Sequence, residues 1–577
     1  MMPPPSAPPE RQGSTPAAAP GPHARDGGGH AVLVAAGVFV SRVSGLVRQR
    51  VFAHYLGSGT VAGVFNAALR IPNLLQNLLG EGVLSSSFIP VYANLVARGE
   101  EEEADAVAGA VSGLLAAATA VLVAAGMLFT PAIVQVITPG LSGEDHALAV
   151  RLVRILFPAT GTLVLSAWCL GVLNSHRRFF LSYAAPVVMN GAVVAALVLA
   201  GWGMASGQAA AARLATEARV AGWAAWGYVV GAVAQVAVQL PTTLRLLGRT
   251  FRPSLSTARA AVRTVLGNFL PALVGRGVVQ LSAFVDTVYA SYVGTRGLAA
   301  LGYQQILYLL PISLFGMAIS ASELPAMSAA VGTPEAVAAQ LRGRLDAGLA
   351  RLAFFVIPSA AAFLALGDVV AGAFFQTGRQ GPADTRYLWL VLIGSTVGLL
   401  AATMGRLYAS AFYALKDTRT PLRFALVRLG LTAGLAWWSA VRMPGVLGVP
   451  QEIGLVGITA TTGLAAWLEY ALLHRALDRR IGATGLPART VARLWASAAV
   501  AGAAGLGVKV LLARWRGPMP GADQQWGGAF LPPPRLHPAL AALPILGVFG
   551  AVYLALALST APGGPRAAVA RLRRRLG

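Results

Sequence analysis

The chain has 577 residues, of which 56% are hydrophobic and only 12% are charged, and its mean hydropathy is +0.64. A soluble protein of this length could not cover its surface with so few charges, because globular proteins average about 25% charged residues. The composition therefore excludes a soluble multidomain protein and predicts an all-α polytopic membrane protein. The net charge of +23 does not indicate a nucleic-acid partner, because most cations lie in the links between apolar segments.

The N-terminal 29 residues are rich in Pro, Ala and Gly and lack the basic stretch and apolar core of a signal peptide. They predict a disordered cytoplasmic tail. Fourteen predicted transmembrane helices follow, several of them with uncharged stretches longer than the roughly 18 residues that cross a hydrocarbon core. Their approximate bounds are 31–55, 60–97, 105–130, 147–174, 179–204, 218–243, 261–292, 297–330, 345–366, 384–413, 421–442, 452–475, 490–513 and 538–560.

Prolines indicate which of these predicted helices are kinked. The second and eighth segments are too long for straight spans and contain Pro72 and Pro90, and Pro311 and Pro325, so we expect kinks there.

The distribution of arginines predicts the orientation in the membrane. If the N-terminus is cytoplasmic, the arginine-rich links after the sixth and twelfth segments and the arginine-rich C-terminal tail also lie inside. The outer link 514–537 carries three arginines and fits less well. An even number of spans with both termini in the cytoplasm fits best.

An internal repeat appears at an offset of 235–239 residues. Residues 52–57 (FAHYLG) match residues 289–294 (YASYVG), and the Pro72 and Pro311 positions correspond. Because this offset spans six helices, both copies keep the same orientation, and a cleft between them is the usual place for a substrate. We expect two pseudo-symmetric six-helix bundles, residues 30–250 and 251–480, and two further helices with a basic tail in 481–577.

Ionisable side chains at the centre of a span cost at least ~2.5–3.5 kcal/mol, so each one is a functional candidate. Arg42 and Arg48 lie about 120° apart around the first helix, so both can face one broad cavity wall. Arg276 follows Arg42 at close to the repeat offset, which would place guanidinium groups opposite each other across the cleft. Guanidinium groups suit bidentate contact with phosphate.

Other charges inside predicted spans have less defined roles. Arg70 could line the cavity or, like Arg50, Arg423 and Arg428, extend from a helix end to lipid headgroups. Arg406 adds a cavity charge in the tenth segment. Asp286 and Glu323 could be structural partners of arginines, or sites for H⁺ or Na⁺, and the sequence leaves both interpretations open.

No catalytic pattern appears in the sequence. The seven histidines are scattered, Cys169 is the only cysteine, and no phosphate-binding loop follows a predicted strand. We therefore predict a protein that is not an enzyme and that has no cofactor and no metal site.

Several motifs resemble those of the MurJ (MviN) family in the MOP exporter superfamily. They are residues 41–48 (SRVSGLVR), 65–75 (FNAALRIPNLL), 80–82 (GEG), 88–92 (FIPVY) and 412–421 (FYALKDTRTP). The resemblance covers most of the chain from about residue 31 to 480. It implies alternating-access transport of lipid II, an undecaprenyl-pyrophosphate-linked peptidoglycan precursor, to the outer leaflet of the bacterial cytoplasmic membrane.

The resemblance also implies roles for single residues. Arg42 and Arg48 match the family's cavity arginines, which are thought to hold the pyrophosphate. Glu81 matches the acid of the family's Ala-Glu-Gly element, and we place Asn73 and Gln76 of the second helix with the substrate-binding residues. The thirteenth and fourteenth helices would carry a groove for the polyprenyl tail.

The sequence departs from the family pattern at several cavity positions. Gln49 and Gly63 replace acids, Gln76 replaces an arginine, and residues 303–307 lack the expected arginine of the eighth helix. We expect Arg276 to replace that charge. The departures slightly favour an alternative cargo, such as another lipid-linked oligosaccharide or a drug. A non-transporting membrane scaffold that regulates cell-wall synthesis is the third hypothesis.

Overall fold

The computed structural model describes residues 23–202, 210–516 and 536–559, and every regular element in these ranges is helical. The helices group into fourteen rods, which we number α1 to α14. Their bounds are α1 His23–Leu56; α2 Thr60–Leu79, Glu81–Ser87 and Ile89–Arg98; α3 Glu101–Leu128, followed by the short helix Thr130–Ile137; α4 Gly143–Ser175; α5 Phe179–Gly201; α6 Ala210–Leu246; α7 Ala260–Val293; α8 Thr295–Ser328; α9 Pro334–Phe375; α10 Pro382–Ala414; α11 Arg419–Leu447; α12 Ile453–Ile481; α13 Ala488–Arg516; and α14 Pro538–Ser559.

The predicted all-α polytopic membrane fold is confirmed. Within the described ranges, eleven rods are long and apolar enough to cross a membrane, namely all except α1, α2 and α7. The fourteen rods coincide with the fourteen predicted segments and are consistent with that count. The first helix begins at His23, inside the stretch that was expected to be a disordered tail, and residues 1–22 lie outside the described part of the chain.

Both expected irregular rods are present. In α2 the helix continues through Pro72, where a kink was expected, and breaks instead at Gly80, whose ψ of −145° is not helical, before it begins again at Glu81. Pro90 then opens the last piece, where its missing N–H removes no helical hydrogen bond. In α8, Pro311 is followed by a widened π-helical stretch, Ile312–Met317, because proline cannot donate the helical hydrogen bond at its position. Breaks of this kind let one rod line a cavity and still pack against neighbours.

The packing of the rods repeats after six helices. In the first half α1 packs on α5, α2 and α3 pack on α4, and α6 packs on α4 and α5. In the second half α7 packs on α11, α8 and α9 pack on α10, and α12 packs on α10 and α11. This correspondence supports the predicted pseudo-symmetry, while the domain boundaries at residues 250 and 480 remain a proposal.

Two equivalent turns show the same repeat in the backbone. Among the described residues, Arg177 after α4 and Lys416 after α10 are the two non-glycine residues with positive φ, and both have a φ of 59°. In each turn the next N–H donates back into the preceding helix. Arg178 donates to Leu173 at 2.8 Å, and Asp417 donates to Phe412 at 2.9 Å. The offset between the turns falls in the range of the sequence repeat.

The halves meet where α1 contacts α9 and where α2 contacts α7 and α8. The last two rods, α13 and α14, pack on each other and on α9. The buried ammonium of Lys509 in α13 pairs with Asp368 of α9 at 2.5 Å. The Tyr553 hydroxyl of α14 donates to the carbonyl oxygen of Phe354 at 2.6 Å. These polar contacts fix the final pair of helices to the second half.

The turn before α11 contains a carboxylate that caps the helix. Asp417 accepts hydrogen bonds from the backbone N–H of Thr420 at 3.0 Å and from its hydroxyl at 2.7 Å, and it pairs with Arg480 at 2.7 Å. The Thr420 backbone N–H is the main cause that lowers the pKa of Asp417 to about 2. The carboxylate is therefore ionised over the whole physiological pH range.

We expect Asp417→Ala to lower the free energy of unfolding by about 1 kcal/mol, the usual value of a helix cap. Asp417→Asn should lose less, because the amide oxygen still accepts the N–H bond. Since the folded pKa lies below the unfolded value of 3.8, this stabilisation is complete above about pH 4 and is lost as the pH falls through about 2. Thermal unfolding in detergent measures it, and equal stability of Asp417→Ala and wild type at neutral pH would contradict the capping role.

Candidate functional site

Two adjoining chambers lie between the rods of the first half and α8. The upper chamber, nearer the α1–α2 link, has a volume of about 400 Å³, and the lower chamber about 500 Å³. Gln76, Asn77 and Leu163 line both, so the two chambers are direct neighbours. The polar lining of the upper chamber is Arg48, Gln49, Asn66, Arg70, Asn73, Thr160, Tyr228 and Gln305. The polar lining of the lower chamber is Arg42, Ser85, Ser166, Ser182 and Gln235.

Two arginines from different helices line the upper chamber. The guanidinium carbon of Arg48 on α1 lies 5.1 Å from the ring centroid of Tyr228 on α6, a cation–π contact that orients the side chain. Arg70 on α2 donates from Nη1 to the hydroxyl of Thr287 on α7 at 2.7 Å. Arg70 therefore reaches the opposite half and does not extend from a helix end to lipid headgroups.

The structure divides the predicted substrate-binding residues between the chambers. Arg48 and Asn73 line the upper chamber, Arg42 lines the lower one, and Gln76 lines both. The two arginines of α1 thus line neighbouring chambers at different depths. The six intervening residue steps correspond to a rise of about 9 Å along the helix.

Glu81 and Arg276 are placed by their backbones alone. Glu81 begins the helix Glu81–Ser87, and Arg276 lies within α7. These two elements pack against each other across the halves. The side chains of Glu81 and Arg276 lie outside the part of the structure that is described, so their roles in substrate binding stay predictions.

The second half contributes a polar cluster beside Arg70. Asp286 of α7 accepts a hydrogen bond from the hydroxyl of Thr462 on α12 at 3.1 Å. Arg428 of α11 pairs with Glu469 of α12 at 2.9 Å, with both side chains largely buried, so it too is not a headgroup-seeking arginine. Arg406 on α10 is exposed. Asp286 and Arg406 were predicted from the sequence, whereas Glu469, a single acid inside an apolar span, was not.

Glu323 has a different environment. It is buried on α8 and pairs with Arg351 at 3.0 Å and Arg344 at 3.6 Å, both from α9. This geometry is that of a structural partner that ties α8 to α9. In the described ranges, no group of three or more His, Cys, Asp or Glu side chains is close enough to hold a metal ion.

The polar residues of α6 were not predicted from the sequence either. Tyr228, Gln235 and Gln239 follow one another at spacings of seven and four residues, which places them on one face of the helix. Gln235 donates to Ser166 of α4 at 2.7 Å, and Ser166 donates to Gln239 at 2.6 Å. The pattern that could have revealed them is their common face inside an apolar span. They are harder to recognise there than arginines, because they carry no charge.

Contacts between the halves close the cavity at its upper end. Glu217 of α6 pairs with Arg379 of the α9–α10 link, and the hydroxyl of Tyr303 on α8 donates to the carbonyl oxygen of Gly57 at 2.7 Å. At Gly63 of α2 a Cβ atom would collide with the carbonyl oxygen of Thr295. Glycine is therefore required at residue 63 by close backbone approach, and its departure from the family pattern has a packing reason.

Comparisons with known proteins agree with this architecture. A family model described as lipid II flippase MurJ matches residues 52–517. A lipid II flippase MurJ of Burkholderia cenocepacia is 30% identical over 459 residues, which cover 78% of this chain and 84% of that protein. A probable lipid II flippase MurJ of Vibrio cholerae is 28% identical and covers 77% and 82%.

Solved structures show the same fold at lower identity. One described as lipid II flippase MurJ in an inward closed conformation has a TM-score of 0.67 at 20% identity and covers 91% of this chain and 98% of its own. An inward-facing multidrug resistance MATE family transporter of the MOP superfamily has a TM-score of 0.60 at 17% identity and covers 76% and 94%. The family match, which spans most of the sequence, shows that this multi-pass membrane protein belongs to the MurJ family of lipid II flippases.

Proposed function

We propose that this protein moves lipid II from the inner to the outer leaflet of the bacterial cytoplasmic membrane. The observation that carries the proposal is the upper chamber, where Arg48 and Arg70 line one cavity between the two halves. The proposal includes no catalytic step and no cofactor, because translocation changes the position of the substrate and not its covalent structure.

The chemistry of the upper chamber suits a pyrophosphate. Two guanidinium groups that line one small cavity repel each other in a low-dielectric surrounding, and an anion between them removes this repulsion. Each guanidinium can also donate two parallel hydrogen bonds to phosphate oxygens. Asn73 and Gln76 add neutral donors beside them. Arg42, deeper in the lower chamber, would meet the headgroup on its way to or from the upper one.

In alternating access the cavity opens to one side of the membrane at a time, and here its upper end is closed. With both termini in the cytoplasm, as we propose, this end faces outward. Release of the headgroup to the outer leaflet then requires the Glu217–Arg379 pair and the Tyr303–Gly57 contact to separate. The two halves have equivalent internal packing, so each can move as a unit about the cavity.

The driving force is a membrane potential or a gradient of Na⁺ or H⁺. Of the two acids considered as coupling sites, Asp286 is the better candidate, because it lies beside Arg70 and Thr287 at the junction of the halves. Glu323 is already neutralised by two arginines of its own half. We therefore propose Asp286 as the residue that senses substrate or ion.

The function is tested by complementation of a strain that lacks its own lipid II flippase. We expect Arg48→Gln and Arg70→Gln each to lower lipid II transport about 10- to 100-fold, since a charge-assisted hydrogen bond contributes roughly 1.5–3 kcal/mol. Transport is measured as accessibility of labelled lipid II in the outer leaflet. Arg98→Gln is the matched control, because Arg98 is 66% exposed at a helix end. Normal growth and transport with both cavity variants would rule out the pyrophosphate role.

A further inference from the structure

The lower chamber differs in chemistry from the upper one. Arg42 is the one charged side chain among its described lining residues. The remaining polar lining consists of amides and hydroxyls, namely Gln76, Asn77, Ser85, Ser166, Ser182 and Gln235. Leu163 and Leu170 add an apolar wall. Such a lining suits a neutral ligand that has many hydrogen-bonding groups, because each amide can both donate and accept.

A buried network beside this chamber has unused hydrogen-bonding capacity. Ser166 accepts from Gln235 and donates to Gln239, and these side chains are 3%, 7% and 0% exposed. The Oε1 atom of Gln235 and the Nε2 atom of Gln239 have no hydrogen-bond partner within the described ranges. A buried polar atom without a partner costs about 1–3 kcal/mol. Gln235, which lines the chamber, therefore has an acceptor that a ligand donor can satisfy after a small movement.

We infer that the lower chamber binds the uncharged sugar portion of the lipid-linked glycan, with Gln235 as a specificity-determining residue. The inference rests on the proposed function, in which the upper chamber holds the pyrophosphate. A sugar bonded directly to that pyrophosphate can reach the lower chamber, because Gln76 and Asn77 form a wall common to both chambers. The hydroxyl and amide groups of a sugar match the amide and hydroxyl lining.

The test compares two probes that differ only in the sugar-containing part. Affinities of the full-length protein for lipid II and for undecaprenyl pyrophosphate are measured by native mass spectrometry. Gln235→Leu keeps the approximate size of the side chain but removes its hydrogen bonds. We expect it to weaken binding of lipid II about 5- to 10-fold, the effect of one lost hydrogen bond, and to leave binding of undecaprenyl pyrophosphate unchanged.

Gln340→Leu is the matched control. It makes the same substitution at an exposed residue of α9 that does not line the chamber, and it should keep the wild-type ratio of the two affinities. If Gln235→Leu does not fold, Ser85→Ala tests the same chamber from α2. Its expected effect is a two- to threefold loss for lipid II alone.

The outcomes separate the inference from the proposed function. Equal loss of both affinities in Gln235→Leu, or no loss for lipid II, would overturn the sugar subsite. Equal affinities of the wild-type protein for the two probes would also overturn it, while the pyrophosphate site would stand. If the wild-type protein bound neither probe, the proposed function itself would fail and the inference with it.

Discussion

Lys509→Ala is expected to lower the free energy of unfolding by about 3–5 kcal/mol, because it leaves the carboxylate of Asp368 buried without its cation. Lys509 is 1% exposed and Asp368 8% exposed, and their charged atoms lie 2.5 Å apart. The Lys509 ammonium also lies 5.8 Å from the ring centroid of Trp389 on α10. The pair therefore joins α13 to two rods of the second half, and its loss should also loosen α13 and α14.

The double variant Asp368→Leu with Lys509→Met separates the pair from the packing around it. Replacement of a buried ion pair by apolar residues of similar size is often neutral or stabilising by about 1–4 kcal/mol, so this variant should recover most of the lost stability. Lys416→Met is the control, because Lys416 is the only other lysine and is exposed. Thermal unfolding in detergent measures all three. A loss below 1 kcal/mol in Lys509→Ala would contradict the anchoring role.

Glu217→Gln is expected to shift the protein toward a state that is open at the upper end. Glu217 is 7% exposed and belongs to the first half, whereas its partner Arg379 belongs to the second. Truncation of one member of a buried charge pair at an interface costs about 2–5 kcal/mol. A change of 2 kcal/mol alters the ratio of two conformations by roughly 30-fold. The closed conformation should therefore no longer be the major one.

Spin labels at Leu214 and Val446 report this change, because both residues are exposed near the upper ends of α6 and α11 in opposite halves. The labels are introduced with Cys169, the single native cysteine, replaced by serine. Arg213→Gln is a stringent control, since Arg213 contacts the same carboxylate at 3.1 Å but from the same helix. Glu217→Gln should lengthen the distance and Arg213→Gln should not. Identical distance distributions in both variants would show that the pair does not hold the closure.

Several features of the fold follow from short-range sequence patterns. Apolar length predicts most of the rods, and Pro311 predicts the irregular stretch of α8, since a missing N–H acts where it occurs in the chain. The break in α2 was expected at a proline but lies at Gly80. The repeat of residues 52–57 at 289–294 predicts the equivalent packing of two halves. The motif at residues 41–48 points to the family without knowledge of any contact.

The assignment of site residues was less complete. Helical geometry predicted Arg42 and Arg48 on one cavity wall, whereas the structure places them in two neighbouring chambers. The uncharged Gln235 gave a weaker signal than any arginine, although it lies on the wall of the cavity. Gly63 appeared to be a departure toward another cargo, whereas the structure explains it by the close approach of Thr295.

The sequence by itself determined the membrane-spanning class, the helical rods, the repeat and the family, because hydropathy, proline positions and motifs are local properties of the chain. Only the tertiary structure decided which charges meet. Arg70 and Thr287 are 217 residues apart in sequence, and Lys509 and Asp368 are 141 apart. The partner of a buried charge depends on which helices pack together and on their relative positions along the membrane normal. That choice is made by the summed contacts of whole rods, and no single segment encodes it.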